Sequence, residues 1–254
     1  MLGIINHGIK PGSRYRVSET STTFTDSDSD YISVANHADL QVDGEDFSVA
    51  FWINLTEDAT STSDKDGYIG LKAGKFRGGG FWFEYKDDAG DDQHISFFTS
   101  NTGSKSECPS VGDAIAYDTW YHVAVTYDLS TTTARLYLNG VLNKTNAEQT
   151  APTAYTDPVF LGASNVGSAF VSSLHNDIAL WKGVVLSVDD ILLLAEQSVD
   201  SEGIGHDYLK GFWRLDQDSA TGSGNVVNEL GSNHGTSSGL ADSNFDTTDT
   251  PIGV

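Results

Sequence analysis

The stretch that most constrains the fold lies between Trp120 and Leu142. Trp120-Tyr121-His122-Val123-Ala124-Val125-Thr126-Tyr127-Asp128 is followed by Ala134-Arg135-Leu136-Tyr137-Leu138-Asn139-Gly140-Val141-Leu142. Asn-Gly between apolar flanks is the strongest short-range signal for a β-hairpin, because both turn positions favour positive φ. The β-branched and aromatic flanks suit a pleated surface. A chain with this segment at its centre is expected to be built from antiparallel strands.

The same pattern recurs on either side. Phe47, Val49, Phe51 and Ile53 alternate onto one face of a strand, as period two requires. Tyr31–Val34 and Tyr68–Leu71 read as short strands. Phe81–Tyr85 and His94–Phe98 read as a hairpin closed by the acidic turn Asp87-Asp88-Ala89-Gly90-Asp91-Asp92. Val159–Gly162, Ile178–Trp181 and Gly211–Leu215 are further strands. A single helix is predicted near 188–197. Ser187 is its N-cap, Asp190 forms a capping box, and Val188, Ile191, Leu192 and Ala195 recur at helical spacing. The fold class is therefore all-β: a two-sheet antiparallel jelly-roll sandwich with one short helix. The 26 Gly and abundant Ser, Thr, Asp and Asn fit the many turns this needs.

Three segments follow: an arm over 1–23, the jelly roll over 24–210, and a strand and loop-rich tail over 211–254 that completes or decorates the sandwich. The 254 residues accommodate one large domain with such an appendage.

The formal net charge of −22 excludes a nucleic-acid partner, since such a surface repels phosphates, and disfavours an anionic membrane face. No apolar run reaches the length of a membrane span, so no membrane insertion is expected. The opening Met1–Lys10 lacks a basic n-region and a small-residue cleavage site, so it does not read as a secretory signal. The single cysteine, Cys108, allows no intrachain disulfide, and its Ser-Glu and Pro-Ser neighbours suggest a loop.

Phe47-Ser-Val-Ala-Phe-Trp-Ile53, Trp120-Tyr-His-Val-Ala-Val-Thr-Tyr-Asp128, Leu136-Tyr-Leu-Asn-Gly140 and Asp177-Ile-Ala-Leu-Trp-Lys-Gly-Val-Val-Leu-Ser187 together resemble the laminin-G-like domains of the concanavalin A-like superfamily, which includes pentraxins. The likeness covers roughly residues 24–197. Gly211-Phe-Trp-Arg-Leu-Asp216 resembles an opening strand of such domains. Before the closing strand the family usually has Gly-x-Ile-Asp. Here Ser173-Leu-His-Asn-Asp177 stands instead, with Asp177 keeping the acidic position.

Catalysis is not expected. Glycosidases on this fold place two carboxylates on one strand as Glu-x-Asp-x-Glu, so that alternate residues face the cleft as acid and nucleophile. No such run exists, nor a Gly-x-Ser-x-Gly elbow, a phosphate loop or a His-Glu-x-x-His motif. His122, amid apolar residues, reads as a packed histidine. Calcium is the metal that fits, because it takes carboxylates and carbonyls and many family members bind it on edge loops. Asp26, Asp28 and Asp30 alternate in one loop, with Asp177 a further candidate; the ordinary reading is a solvated acidic turn. Trp82 and Tyr85 are the candidate carbohydrate platforms, although alternation puts them on opposite faces and aromatic packing is the simpler account. Leu2, Ile4, Ile5 and Ile9 form an apolar segment that reads as an edge strand or as an assembly contact docking on a neighbouring subunit.

Two functions follow. The first is a non-enzymatic structural or adhesion protein on a virion surface, such as a phage capsid decoration or tail protein, whose partners are other subunits of the assembly and glycans. The second is an extracellular, calcium-dependent carbohydrate-binding module of a marine bacterium.

Overall fold

A computed structural model describes residues 20–25, 28–56, 67–73, 78–87, 93–112, 115–163, 170, 172–196, 203–215, 226–245 and 250–251. Fourteen strands among these form two antiparallel sheets of seven. In chain order they are β1 (Thr22–Phe24), β2 (Tyr31–Val34), β3 (Phe47–Leu55), β4 (Gly67–Ala73), β5 (Gly80–Asp87), β6 (Gln93–Ser100), β7 (Lys105–Pro109), β8 (Trp120–Asp128), β9 (Thr133–Leu138), β10 (Val141–Asn146), β11 (Val159–Leu161), β12 (Ser173–Lys182), β13 (Leu209–Trp213) and β14 (Gly235–Ser238). The first sheet runs β1-β12-β3-β8-β9-β10, with β13 also paired to β12; the second runs β14-β2-β11-β4-β5-β6-β7.

The central hairpin forms as its sequence dictates. Val141 pairs with Leu138, leaving Asn139 and Gly140 as the two-residue turn at φ 49° and 78°. Asn139 also ties the turn back to β8: its side chain accepts from the His122 N–H at 2.9 Å and its own N–H donates to the His122 carbonyl at 2.8 Å.

Phe47, Val49, Phe51 and Ile53 point into the space between the sheets, where Phe81, Phe83, Tyr85, Ile95 and Phe97 meet them. Phe47 packs at 5.3 Å from Phe81 and 5.1 Å from Tyr127, ring to ring. The other face of β3 is buried as well. Part of the outside of the first sheet is covered by Val184, Leu186, Ile191, Leu194, Ile204 and Leu209, two of them from the helix α1 (Val188–Ala195). Ser48 on β3 anchors this cover, donating to the Val184 carbonyl and accepting from the Leu186 N–H.

The capping box of α1 is formed by Ser187 and Asp190, a device that stabilises a helix start by about 1 kcal/mol. The buried side of α1 is Ile191, Leu194 and Ala195. Val188 and Leu192, which share the helical spacing with Ile191 and Ala195, are exposed. Cys108 also differs from its expected loop: it lies in β7, fully buried, opposite Phe97 of β6. Burial pushes its thiol up to about 11.

The segment from 209 to 238 supplies an edge strand to each sheet. β13 pairs with β12 and β14 with β2. Trp213 is buried in the core and donates its Nε1–H to the Asn233 carbonyl at 3.1 Å.

Candidate functional site

The outer face of the second sheet carries polar and aromatic groups side by side. Alternation along β5 sends Phe81, Phe83 and Tyr85 inward and Trp82, Glu84 and Lys86 outward. The strand register then builds rows across the sheet. Trp82 stands opposite Phe98, which stands opposite Glu107; Glu84 stands opposite Ser96; Lys86 stands opposite His94.

Trp82 and Phe98 stack with centroids 4.8 Å apart and planes 5° from parallel. The Trp82 Nε1–H donates to Glu84 Oε1 at 2.7 Å. The Lys86 ammonium lies 2.9 Å from Glu107, 3.9 Å from Glu84 and 4.9 Å from the Phe98 centroid, and Lys105 approaches the same ring to 4.9 Å. Ser96 Oγ donates to Glu107 Oε1 at 2.7 Å. Burial raises the Glu107 carboxyl, but hydrogen bonds from Ser96 and Lys86, with the charges of Lys86 and His94, outweigh it and hold the group below the usual carboxylate range.

Beside these groups an open cleft of about 390 Å3 is lined by Lys86, His94, Glu107, Pro109, Ser110 and Val111. Its walls are fixed. Ser110 Oγ accepts from the Ile95 N–H at 3.2 Å, and the Val111 N–H donates to Asn143 Oδ1 at 2.8 Å, tying the loop after β7 to β10. The cleft presents an ammonium, a carboxylate, an imidazole and a hydroxyl within one concavity. Such an arrangement can hydrogen-bond a polyhydroxylated ligand from several directions.

The residues singled out in the sequence are placed as follows. Tyr85 is wholly buried in the core, its hydroxyl 2.9 Å from that of Tyr117, so it offers no face to a sugar. Trp82 is on the outer face but only 4% exposed, its ring stacked on Phe98 with Lys105 above. Neither side chain is the sugar platform expected of it; the inward pleat removes Tyr85 and the stack removes Trp82.

Asp30 is 1% exposed. It spends Oδ2 on the Thr25 N–H at 2.9 Å and Asn244 Nδ2 at 3.3 Å, which ties the loop before β2 to the loop after β14. Burial raises its carboxyl, opposed by the Thr25 hydrogen bond. Asp28 lies on the exposed turn before it. Asp177 sits in the bulge of β12 at φ 48°, its N–H donating to the Arg214 carbonyl. Asp26 lies outside the described residues, as do Leu2, Ile4, Ile5 and Ile9. Among the described residues no group of three or more His, Cys, Asp or Glu side chains is arranged to hold a metal ion.

Lys86, His94, Glu107 and Ser110 carried no motif. They sit on three different strands and a loop, and only the β5-β6-β7 register brings them together. His122 is packed as its apolar neighbours implied, 2% exposed with Trp52 edge-on at 5.2 Å.

A two-sheet antiparallel sandwich with its helix on one outer face and a polar cleft on the other belongs to the lectin-like class of β proteins. The laminin-G-type model of the concanavalin A-like lectin/glucanases superfamily matches residues 26–192, and the chain belongs to that family. No curated protein matches it in sequence. Similar solved structures include a Bacteroides ovatus protein described as a candidate carbohydrate binder, at 19% identity and TM-score 0.63 over 93% of this chain and 62% of that one. The ligand-binding domain of botulinum neurotoxin serotype D, in complex with N-acetylneuraminic acid, is similar at 17% identity and TM-score 0.50, over 70% of this chain and 44% of that one. A heptameric pentraxin from Limulus polyphemus is similar at 16% identity and TM-score 0.44, over 65% and 81%. The chain thus spans less than two thirds of the first two, and likeness at this identity establishes the fold.

Proposed function

We propose that this chain is a non-catalytic carbohydrate-binding module that takes a glycan in the cleft beside β5, β6 and β7. The observation that carries the reading is the cleft itself. It falls within the ~300–1,000 Å3 typical of small-molecule sites, and donors and acceptors of both charges converge on it. The carbohydrate-binding descriptions of two structural neighbours agree with it.

The absence of catalysis is part of the proposal. Glu84 and Glu107 both contact Lys86, so two carboxylates do share this face. A glycosidase acid must keep its proton near neutral pH. Glu107 is instead held below the usual range and bound to a lysine and a serine. A surface location, on a virion or outside a cell, is where such a module would meet its ligand, and that placement belongs to the proposal too. No helix among the described residues is long and apolar enough to cross a membrane.

A glycan array identifies ligands, and calorimetry with the best of them tests the site. Glu107→Gln and Lys86→Met are each expected to weaken binding about ten-fold or more, by removing charge-assisted hydrogen bonds worth ~1.5–3 kcal/mol. Binding that is unchanged in both folded variants refutes the location. An array without a hit refutes the function.

A further inference from the structure

We propose that the corner formed by β10 and α1 is an assembly contact that receives the apolar N-terminal segment Leu2–Ile9 of a second copy of this chain. Val141 and Leu142 of β10 and Val188 and Leu192 of α1 are between 39% and 68% exposed. They lie around one turn. A Cβ on Gly140 would come within 2.9 Å of Leu192 Cδ1, which puts the β9-β10 turn against the helix. Val188 is one helical turn from Leu192 on the same face. Leu142 stands opposite Tyr137, whose ring packs in the cover on the outer face, so it shares that face with α1. β10 is the last strand of its sheet, and among the described residues no strand pairs with its far side. The contact is independent of the glycan reading.

Size and charge decide the kind of occupant. The four side chains expose on the order of 300 Å2, the scale at which a patch on a monomer is often functional. That is well short of the ~800 Å2 per partner of a standard interface between folded domains. It suits a short segment with a few apolar side chains, and Leu2, Ile4, Ile5 and Ile9 supply them. The chain has a net charge of −22, yet residues 1–18 contain Lys10, Arg14 and Arg16 and no Asp or Glu. The corner is acidic. Asp189 beside Val188 and Glu196 one turn after Leu192 are exposed, and α1 has no Lys or Arg. Lys144 of β10 stands opposite Leu136 on the core face of the strand. A basic, apolar segment complements an acidic, apolar corner.

Position makes the donor a second copy. The Thr20 carbonyl accepts from Asn176 Nδ2 at 2.7 Å, so the segment before it leaves beside β12. β1 and β10 are opposite edges of one sheet, five strand spacings or about 24 Å apart. The eleven residue steps from Ile9 to Thr20 span at most ~36 Å. A route back to the same copy's corner crosses the sheet and climbs the cover over it, which takes nearly all of that length. A copy set alongside brings its β10 corner next to the β1 edge of the first. The contact is head to tail, so repeated copies close into a ring or run on as a filament.

The test is sedimentation velocity of the full chain over a range of concentrations, where the average mass should rise with concentration. Leu142→Gln with Leu192→Gln alters the corner, and Ile4→Ser with Ile5→Ser alters the segment. Each pair of substitutions should weaken association about ten-fold or more, because it removes two apolar side chains from the contact. Leu142 and Leu192 are exposed, so the corner variant should keep its thermal unfolding midpoint. Mixed together, the two variants should form one-to-one dimers and go no further, since one keeps an intact segment and the other an intact corner. An unmodified chain that stays monomeric overturns the proposal, including the case in which Ile4 and Ile5 substitutions shift α1 amide resonances of that monomer and so show the segment folded back on its own copy. An oligomer unchanged by both variants, or variants that do not pair when mixed, overturns the contact.

Discussion

Acidification from pH 7.5 to pH 5 is expected to cost the fold about 4 kcal/mol, carried by two histidines. His122 and His175 are both buried, and burial alone lowers each to about 3. In the unfolded chain each returns to about 6.5. Between pH 6.5 and pH 3 the unfolded state therefore binds more protons. The stability is complete above about 6.5 and drains away as pH falls through that window. At pH 5, one and a half units below the unfolded value, each histidine costs about 2 kcal/mol. Asp30, whose carboxyl is raised, acts in the opposite sense, because its folded form holds the proton to higher pH. Urea unfolding at pH 7.5, 6 and 5 measures the loss as a fall in midpoint. His175→Phe and His122→Gln should each remove about half of the pH dependence, and the double variant nearly all of it. Stability that is flat between pH 7.5 and pH 5, or a slope untouched by both variants, refutes the argument that these rings are kept neutral by burial.

Three further outcomes are expected. Gly140→Ala should destabilise by about 2 kcal/mol or more in thermal unfolding: φ is 78°, and the added Cβ would come within 2.9 Å of Leu192 Cδ1. Cys108 should resist a thiol reagent in the native state and react at once in denaturant, because it is fully buried and its thiol is raised to about 11. Chelator or added calcium should move Tm by less than about 1 °C, because a bound ion in excess over its Kd would add several degrees by mass action.

Much of the architecture could be read from residue order. The alternation of Phe47 to Ile53, the Asn139-Gly140 turn and the Ser187–Asp190 capping box are local rules, and each appears in the fold as read. The cleft could not be read this way. Lys86, His94 and Glu107 are ordinary charged residues until β5, β6 and β7 align them, and register between strands is a property of the whole sheet. The aromatic candidates misled for the opposite reason. Trp82 and Tyr85 were conspicuous by type, but type does not reveal that one ring stacks on Phe98 and the other fills the core. β7 escaped notice because Lys105-Ser-Glu-Cys-Pro109 has little apolar alternation; its place is held by pairing with β6 and by the inward Cys108.

The edge strands contributed by β13 and β14 carry a consequence for how the molecule is made. β2 must wait for Gly235–Ser238, and half of the β12 edge must wait for Leu209–Trp213. Thr22 Oγ1 donates to the Leu215 carbonyl, and Asn244 reaches the Thr23 carbonyl, which fastens the late segment to the early one. On a ribosome, everything from β2 to α1 emerges before either closure can form. The nascent chain therefore carries open strand edges until β13 and β14 have been synthesised, the state in which β proteins pair with the wrong neighbour. The family-matched stretch 26–192, expressed alone, would be left in that condition permanently.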